Sequence, residues 1–351
     1  MFLGIESSCD ETAAAVVARD GRVLSDVVHS QVSLHREHGG VVPELASRDH
    51  LRNVGPVVRS ALGQARVALA DLDGIAVTHR PGLVGALLVG VQAAKGLAWA
   101  SKKPLYGVDH LMGHILSIFL VRGDPADARP VPAFPFIALL VSGGHTALYR
   151  VDAPSADAIA ELGATRDDAA GEAFDKVGKL LGLDYPGGPR VDALAREGDA
   201  TAFPWSSPMA RKDSLEFSFS GLKTQVAQWV AREGVPTGQR LADVCASFQA
   251  TTTSTLAKKL VRAAMREEVP RVVLGGGVAA NRELRERVTS LATKHGMEAF
   301  VPEVASCTDN AAMIAYVGAL RAREGRADGW DLTATSATVL PRSTRKGRGM
   351  R

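Results

Sequence analysis

FLGIESSCDETAAAVVA, residues 2–18, reads as two short apolar strands, 2–6 and 13–18, facing each other across the polar turn 7–12. A third strand, VLSDVVHS, begins at Val23. FIALLVSGGHTALYRV, residues 136–151, repeats the plan: an apolar strand, a Ser-Gly-Gly turn, and a second strand in which Thr146 stands where Thr12 stood. Such a repeat predicts two half-molecules of like topology in an α/β fold.

Around these hairpins, 351 residues suffice for two lobes, and 41 Lys plus Arg against 38 Asp plus Glu leave a net charge of only +3. That balance permits an anionic partner without demanding one. Cys9, Cys245 and Cys307 are odd in number and lack C-x-x-C spacing, which argues against a disulfide framework and fits a reducing compartment. The N-terminus has neither a basic nor an apolar signal region, and no uncharged apolar run reaches the ~18–20 residues that span a bilayer, so the expectation is a cytoplasmic protein with no membrane partner.

After the first hairpin, Gly39, Gly40 and Pro43 punctuate a loop before a helix over 44–66, followed by a strand at 74–78. GALLVGVQAAKGLAWAS then predicts a buried helix, PLYGV a strand, and Asp109 a cap for a helix through Val121. Four prolines between Pro125 and Pro135 exclude regular structure and mark a connection between lobes. Beyond the second hairpin come an Asp-capped helix after Asp167 and Asp168, the loop DYPGGP, a helix after SFSG and a long helix over 241–268. A strand, a glycine turn and a helix in RVVLGGGVAANRELRERV follow, then a capped terminal helix in CTDNAAMIAYVGALRARE. The basic tail 341–351 predicts disorder.

The turns LVSGGH (140–145) and LGGGVAAN (274–281) both follow apolar strands, where missing Cβ atoms let backbone N–H groups close on phosphate. Neither fits the P-loop or Rossmann spacing, which leaves the actin, sugar-kinase and heat-shock ATPase style of site. Asp10 and Glu11 project from the first turn, Asp167 and Asp168 open a helix, and Glu172 and Asp175 share one face of it. His110 and His114, four apart, fit either a metal pair or a half-buried pair satisfied by backbone and water. Leu111 stands where a zinc peptidase of H-E-x-x-H type carries its general base, so that reading loses its catalyst. The best-placed acid for a third ligand is Asp309, beside Cys307. Lys258, Lys259, Arg262 and Arg266 on one helix, and Arg282, Arg285 and Arg287 on another, read as solvated faces more readily than as a polyanion site.

GIESSCDET, HREHGGVVPELASRDH, PGLVGALLVG, HLMGH, LLVSGGHT, DDAAGEAFDKVGKLLGLDYPGGP, FSFSGLKT, GGGVAANRELR and CTDNAAMIAY, in unbroken order from residue 2 to 325, together resemble the tRNA N6-adenosine threonylcarbamoyltransferases of bacterial TsaD type. Similar sequences once carried the label O-sialoglycoprotein endopeptidase. The resemblance implies tandem actin-like ATPase (ASKHA, RNase H-like) domains with the active site in the interlobe cleft. It places the first lobe at 1–125, the second at 131–306, and a terminal helix region at 307–340 packing back on the first. It implies one Fe2+ ion, or Zn2+ in its stead, on His110, His114 and Asp309. It implies that Leu140, Val141, Ser142, Gly143, Gly144, Asp175, Gly188, Asp192 and Asn281 hold threonylcarbamoyl-AMP.

The implied reaction moves the threonylcarbamoyl group to N6 of the adenosine beside the anticodon in tRNAs reading codons that begin with A, releasing AMP. Asp10 or Glu11 is the candidate for proton handling. Implied partners are tRNA, a paralogous actin-like dimer partner (TsaB type) and a small P-loop ATPase (TsaE type). An actin-like ATPase or kinase, or a non-catalytic scaffold, is the rival reading. Two positions depart from the family pattern: Met112 where a Glu is usual, removing a possible outer-shell acid, and Arg80 where a Gly is usual before PGL.

Overall fold

In a computed structural model, which describes residues 1–124, 126, 129–206, 209 and 214–342, the two hairpins seed two sheets of the same plan. Strand β1 (Phe2–Glu6) pairs antiparallel with β2 (Glu11–Val17), Phe2 opposite Val17, and β2 pairs with β3 (Val23–Ser30). On the other side of β1, β4 (Gly74–Arg80) and β5 (Leu105–Asp109) add in parallel, giving the order β3-β2-β1-β4-β5. The second sheet repeats this with β6 (Phe136–Val141), β7 (Thr146–Val151), β8 (Ile159–Ala164), β9 (Arg271–Gly275) and β10 (Glu298–Phe300), in the order β8-β7-β6-β9-β10. Thr146 opens the return strand of its hairpin, and Thr12 is the second residue of the other.

The helices of the first half are α1 (Val32–His35), α2 (Pro43–Ala65), α3 (Val84–Ser101) and α4 (His110–Leu116), the last running into a 3-10 turn, Ser117–Phe119, rather than on to Val121. Helices α2 and α3 pack on each other and on β2 and β4. The remaining helices are α5 (Ala170–Leu180), α6 (Gly187–Ala195), α7 (Ser220–Glu233), α8 (Gly238–Arg266), α9 (Arg282–Lys294) and α10 (Ala311–Arg323). Helix α10 returns to the first sheet and packs against β1, β4 and β2. A shared cluster of Phe2, Ala13, Phe136, Leu140, Met313 and Ile314 joins the two sheets through it.

Three sequence expectations need correction. Helix α3 is not buried all round: Ala86, Gly90, Val91 and Ala94 face the sheet, while Trp99 is 73% exposed and Val84 and Leu88 also face outward. It is the one described helix long and apolar enough to cross a membrane by length and composition. The basic runs are not simply solvated. Lys259 is buried, with its Nζ on the carbonyls of Met209 and Glu216, and Arg285 ties together the carbonyls of Ala279 and Pro302 and the Cys307 thiol. Most of the basic tail lies outside the described residues, but Pro341 and Arg342 pair with Glu161 on the edge of β8.

The third correction concerns α5, which is not Asp-capped. Its N-cap is Ala169, whose N–H is accepted by the Glu172 carboxylate. Asp167 instead caps α7, accepting from the N–H groups of Phe219 and Ser220 and the hydroxyls of Ser218 and Ser220, while Asp168 accepts from Lys176 and Lys223. Partial burial works against the Asp167 charge, but these hydrogen bonds outweigh it and hold the carboxyl below its usual range. The folded pKa is depressed, so this contribution is present above the unfolded value near ~3.9 and lost as pH falls through the folded one. Asp167→Ala is therefore expected to cost about 1–2 kcal/mol of stability at neutral pH, and less in acid. Urea melts at pH 7 and pH 3 check this; equal losses at both would contradict the cap.

Candidate active site between the lobes

The centre of the molecule is built on the first turn of α4. Asp109 caps it, one carboxylate oxygen accepting from the Leu111 N–H at 3.0 Å and the other from the Thr338 hydroxyl at 2.6 Å. One helical turn then sets His110 and His114 side by side, ring centroids 4.6 Å apart and nearly perpendicular. Asp309, just before Asn310 caps α10, brings its Oδ1 to 2.9 Å from His114 Nε2 and 3.6 Å from His110 Nε2. The three candidate ligand atoms lie within 4.8 Å of one another.

Two imidazole nitrogens and a carboxylate oxygen form a donor set that borderline divalent ions accept, and three protein ligands leave a position open for substrate. His114 Nδ1 is buried and has no hydrogen-bond partner. Burial opposes a proton on His110, but the Glu6 and Asp309 carboxylates outweigh it and push its pKa up to about 9. Asp309 is itself held well below the usual carboxylate range, against its burial, by the two imidazoles. A carboxylate oxygen and two imidazole nitrogens this close together fit a cation site.

The turn between β1 and β2 brings Asp10 and Glu11 to the same cleft. It is fastened from beneath by buried His50, which donates from Nε2 to the Cys9 carbonyl at 3.0 Å and so accepts the Thr12 hydroxyl on Nδ1 at 2.7 Å. Burial, then the charges of Asp309 and Asp10, push the Glu11 carboxyl up to about 10. Asp175 from the second lobe is raised by burial although the N–H groups of Gly187 and Gly188 donate to it, and Asp10 across the cleft adds to that rise.

Beside this centre a cavity of about 290 Å³ is lined by Gly143, Gly171, Asp175, Gly188, Asp192 and Asn281, among others. Asn281 caps α9 through Oδ1 and donates from Nδ2 to Asp192 at 3.2 Å and Gln249 at 2.8 Å. Leu140 and Val141 do not line the cavity; they are fully buried in the strand that delivers the Ser142–Gly144 turn. A Cβ on Gly171 would lie 2.6 Å from the Ser142 carbonyl, so the start of α5 sits directly on that turn.

Residues 22–316 match the family described as tRNA N6-adenosine threonylcarbamoyltransferase (TsaD). The chain belongs to that family. A tRNA N6-adenosine threonylcarbamoyltransferase of Sorangium cellulosum (strain So ce56) is 64% identical over 353 residues, covering 99% of each chain. One of Anaeromyxobacter dehalogenans (strain 2CP-C) is 54% identical, covering 96% of this chain and 99% of its own. Among solved structures, component A of the (R)-2-hydroxyglutaryl-CoA dehydratase of Acidaminococcus fermentans superimposes with a TM-score of 0.52 at 15% identity, over 91% of this chain and 98% of that one. That likeness concerns the fold alone, the two-lobed actin-like architecture.

Against the threonylcarbamoyltransferase pattern, Met112 is not a vacancy beside the metal-type ligands. Two residues after His110 it points to another side of α4, where it is 4% exposed and packed in the cluster with Met313 and Ile314. Arg80 directs its Nε to His79 Nε2 at 2.8 Å, and His79 Nδ1 meets the Thr333 carbonyl. Sequence reasoning passed over Glu6, His50 and His145. Burial and the nearby His110 and His114 push the His145 pKa down to about 4, leaving a neutral imidazole next to the pair. The signal for all three was their place inside motifs already quoted, GIESS, ASRDH and SGGHT.

Proposed function

We propose that the chain is an acyltransferase that moves the threonylcarbamoyl group from threonylcarbamoyl-AMP to N6 of the adenosine beside the anticodon of tRNA. The carrying observation is that a chain matched over residues 22–316 to this family holds both the His110, His114 and Asp309 cluster and a cavity of about 290 Å³ lined by Asp175, Asp192 and Asn281. His110, His114 and Asp309 would hold one Fe2+, with Zn2+ as the alternative, and a bound divalent ion supplies Lewis-acid polarisation of phosphate or carbamoyl oxygens. The lobes divide at the proline-rich connection, 1–125 and 131–306, with 307–340 returning to the first.

In the reaction N6 attacks the carbamoyl carbon, the bond from that carbon to the phosphate oxygen breaks, and AMP leaves with the electron pair. An exocyclic adenine amine is a weak nucleophile, so the site must hold both partners in line and accept a proton. The cavity between the Ser142–Gly144 turn and Asn281 takes the adenylate, with Asp192, Gly188 and Asp175 shaping its wall. The Gly143 N–H, at the turn against the start of α5, is the donor proposed for the phosphate side, since the Gly171 N–H is given to the Ser142 carbonyl. Asp10 or Glu11, on the turn facing the cluster, accepts the N6 proton.

tRNA, a paralogous actin-like partner and a small P-loop ATPase complete the proposed system. Incubation of the chain and its partners with tRNA and threonylcarbamoyl-AMP, followed by mass analysis of the nucleosides, is expected to give modified adenosine that disappears on chelation and returns with Fe2+ or Zn2+. Product formed equally with chelator present would remove the metal from the mechanism. ATP turnover without acyl transfer would favour the kinase-like rival.

A further inference from the structure

Glu6, at the end of β1, is wholly buried and lies beneath the metal-type ligands. Its Oε1 accepts the Ser8 N–H at 2.5 Å, and its Oε2 accepts the Thr78 hydroxyl at 2.6 Å and faces His110 Nδ1 at 3.0 Å. A carboxylate has no hydrogen to give, so the shared proton sits on Nδ1. The ring nitrogen left to look toward Asp309 and His114 is then Nε2, which is the atom found there. His114 has no such support, since its Nδ1 is buried without a partner. The two imidazoles are thus held differently: His114 by packing and Asp309, His110 by a buried anion.

Ser8 extends the link. Its N–H is fixed by Glu6, its hydroxyl lies 3.2 Å from the same His110 Nδ1, and Asp10 and Glu11 follow two and three residues later. One carboxylate therefore ties a ligand ring to the turn that carries the proton-handling pair. We propose that Glu6 is the positioning residue of this centre, fixing His110 with its proton on Nδ1 and its Nε2 toward a divalent cation, and setting the Asp10–Glu11 turn against it. This rests on the metal reading above.

Glu6→Gln tests it without a change of volume. An amide accepts on one side only, so its NH2 must face either the Ser8 N–H or the Thr78 and His110 donors. Zinc affinity, measured on the full chain by competition with a chromophoric chelator, is expected to fall about 10–100-fold, as for other groups that orient a ligand histidine. A purely packing role would lower the melting temperature and leave zinc affinity of the folded chain unchanged; that result overturns the inference. Failure of the unaltered chain to take up zinc would sink the metal reading and the inference with it. Should Glu6→Gln not fold, 15N spectra of the unaltered, zinc-loaded chain decide. They are expected to show His110 protonated at Nδ1 with zinc on Nε2, and zinc on Nδ1 would overturn the assignment.

Discussion

Asp309→Asn is expected to lower transfer to tRNA by more than about 100-fold and to abolish uptake of a divalent ion, with the fold retained. The reasoning starts from position. Asp309 Oδ1 is the atom both His114 Nε2 and His110 Nε2 face, at 2.9 and 3.6 Å, so it closes the cluster. An amide matches the carboxylate in shape but carries no charge, and its oxygen is a much poorer ligand for a divalent cation. Groups that merely orient ligands cost 10–100-fold when removed, which sets about 100-fold as the floor for a ligand itself. The side chain is 21% exposed and makes no contribution to the α10 cap, which belongs to Asn310, so no cavity opens and no helix end is freed. Metal content by elemental analysis, circular dichroism and tRNA nucleoside analysis on the same preparation check all three statements. A folded Asp309→Asn chain that modifies tRNA at the normal rate would dismiss the cluster as a metal centre.

The sequence carried the fold because the fold is written twice. An apolar strand, a turn and a second strand with Thr at its start recur from Phe2 and from Phe136, and both become the first hairpin of a five-stranded sheet of one order. Local signals also placed Asp109 at a helix start and a cap within CTDNAAM, where Asn310 serves, because a cap needs only its own helix. They failed at Asp167, which sits where a cap for α5 belongs yet serves α7, more than fifty residues on. No periodicity reports a partner that distant. The His pair was legible from its spacing, whereas Glu6 was not, since a carboxylate ending an apolar strand reads as an ordinary strand terminus until β4 and α4 close over it. Met112 shows the opposite error: its place between two ligands suggested the site, and helix geometry turned it into the core.

Gly276→Ala is expected to disrupt the cavity of the second lobe by backbone geometry alone. Gly276 has φ 86° and ψ 166°, a region open to glycine and closed to other residues at a cost of about 1–3 kcal/mol. A Cβ there would lie 2.4 Å from the Val141 carbonyl oxygen, a distance no packed pair sustains, so β9 and β6 must part at the end where Leu140 pairs with Gly275. Val141 leads into the Ser142–Gly144 turn, and Gly277, Val278 and Asn281 follow Gly276 into the cavity wall, so the displacement falls on both sides of the cavity. Strain and collision together predict a loss of roughly 3 kcal/mol or more of stability and at least a tenfold rise in the KM for threonylcarbamoyl-AMP. Gly277→Ala is the control. Its Cβ would meet nothing within 4 Å and its backbone is not left-handed, so its stability is expected to stay within about 1 kcal/mol of the parent, in step with the ordinary cost or gain of a glycine replaced at a compatible site. If Gly276→Ala melts with Gly277→Ala, the strained turn is not what holds the two glycine loops at their spacing.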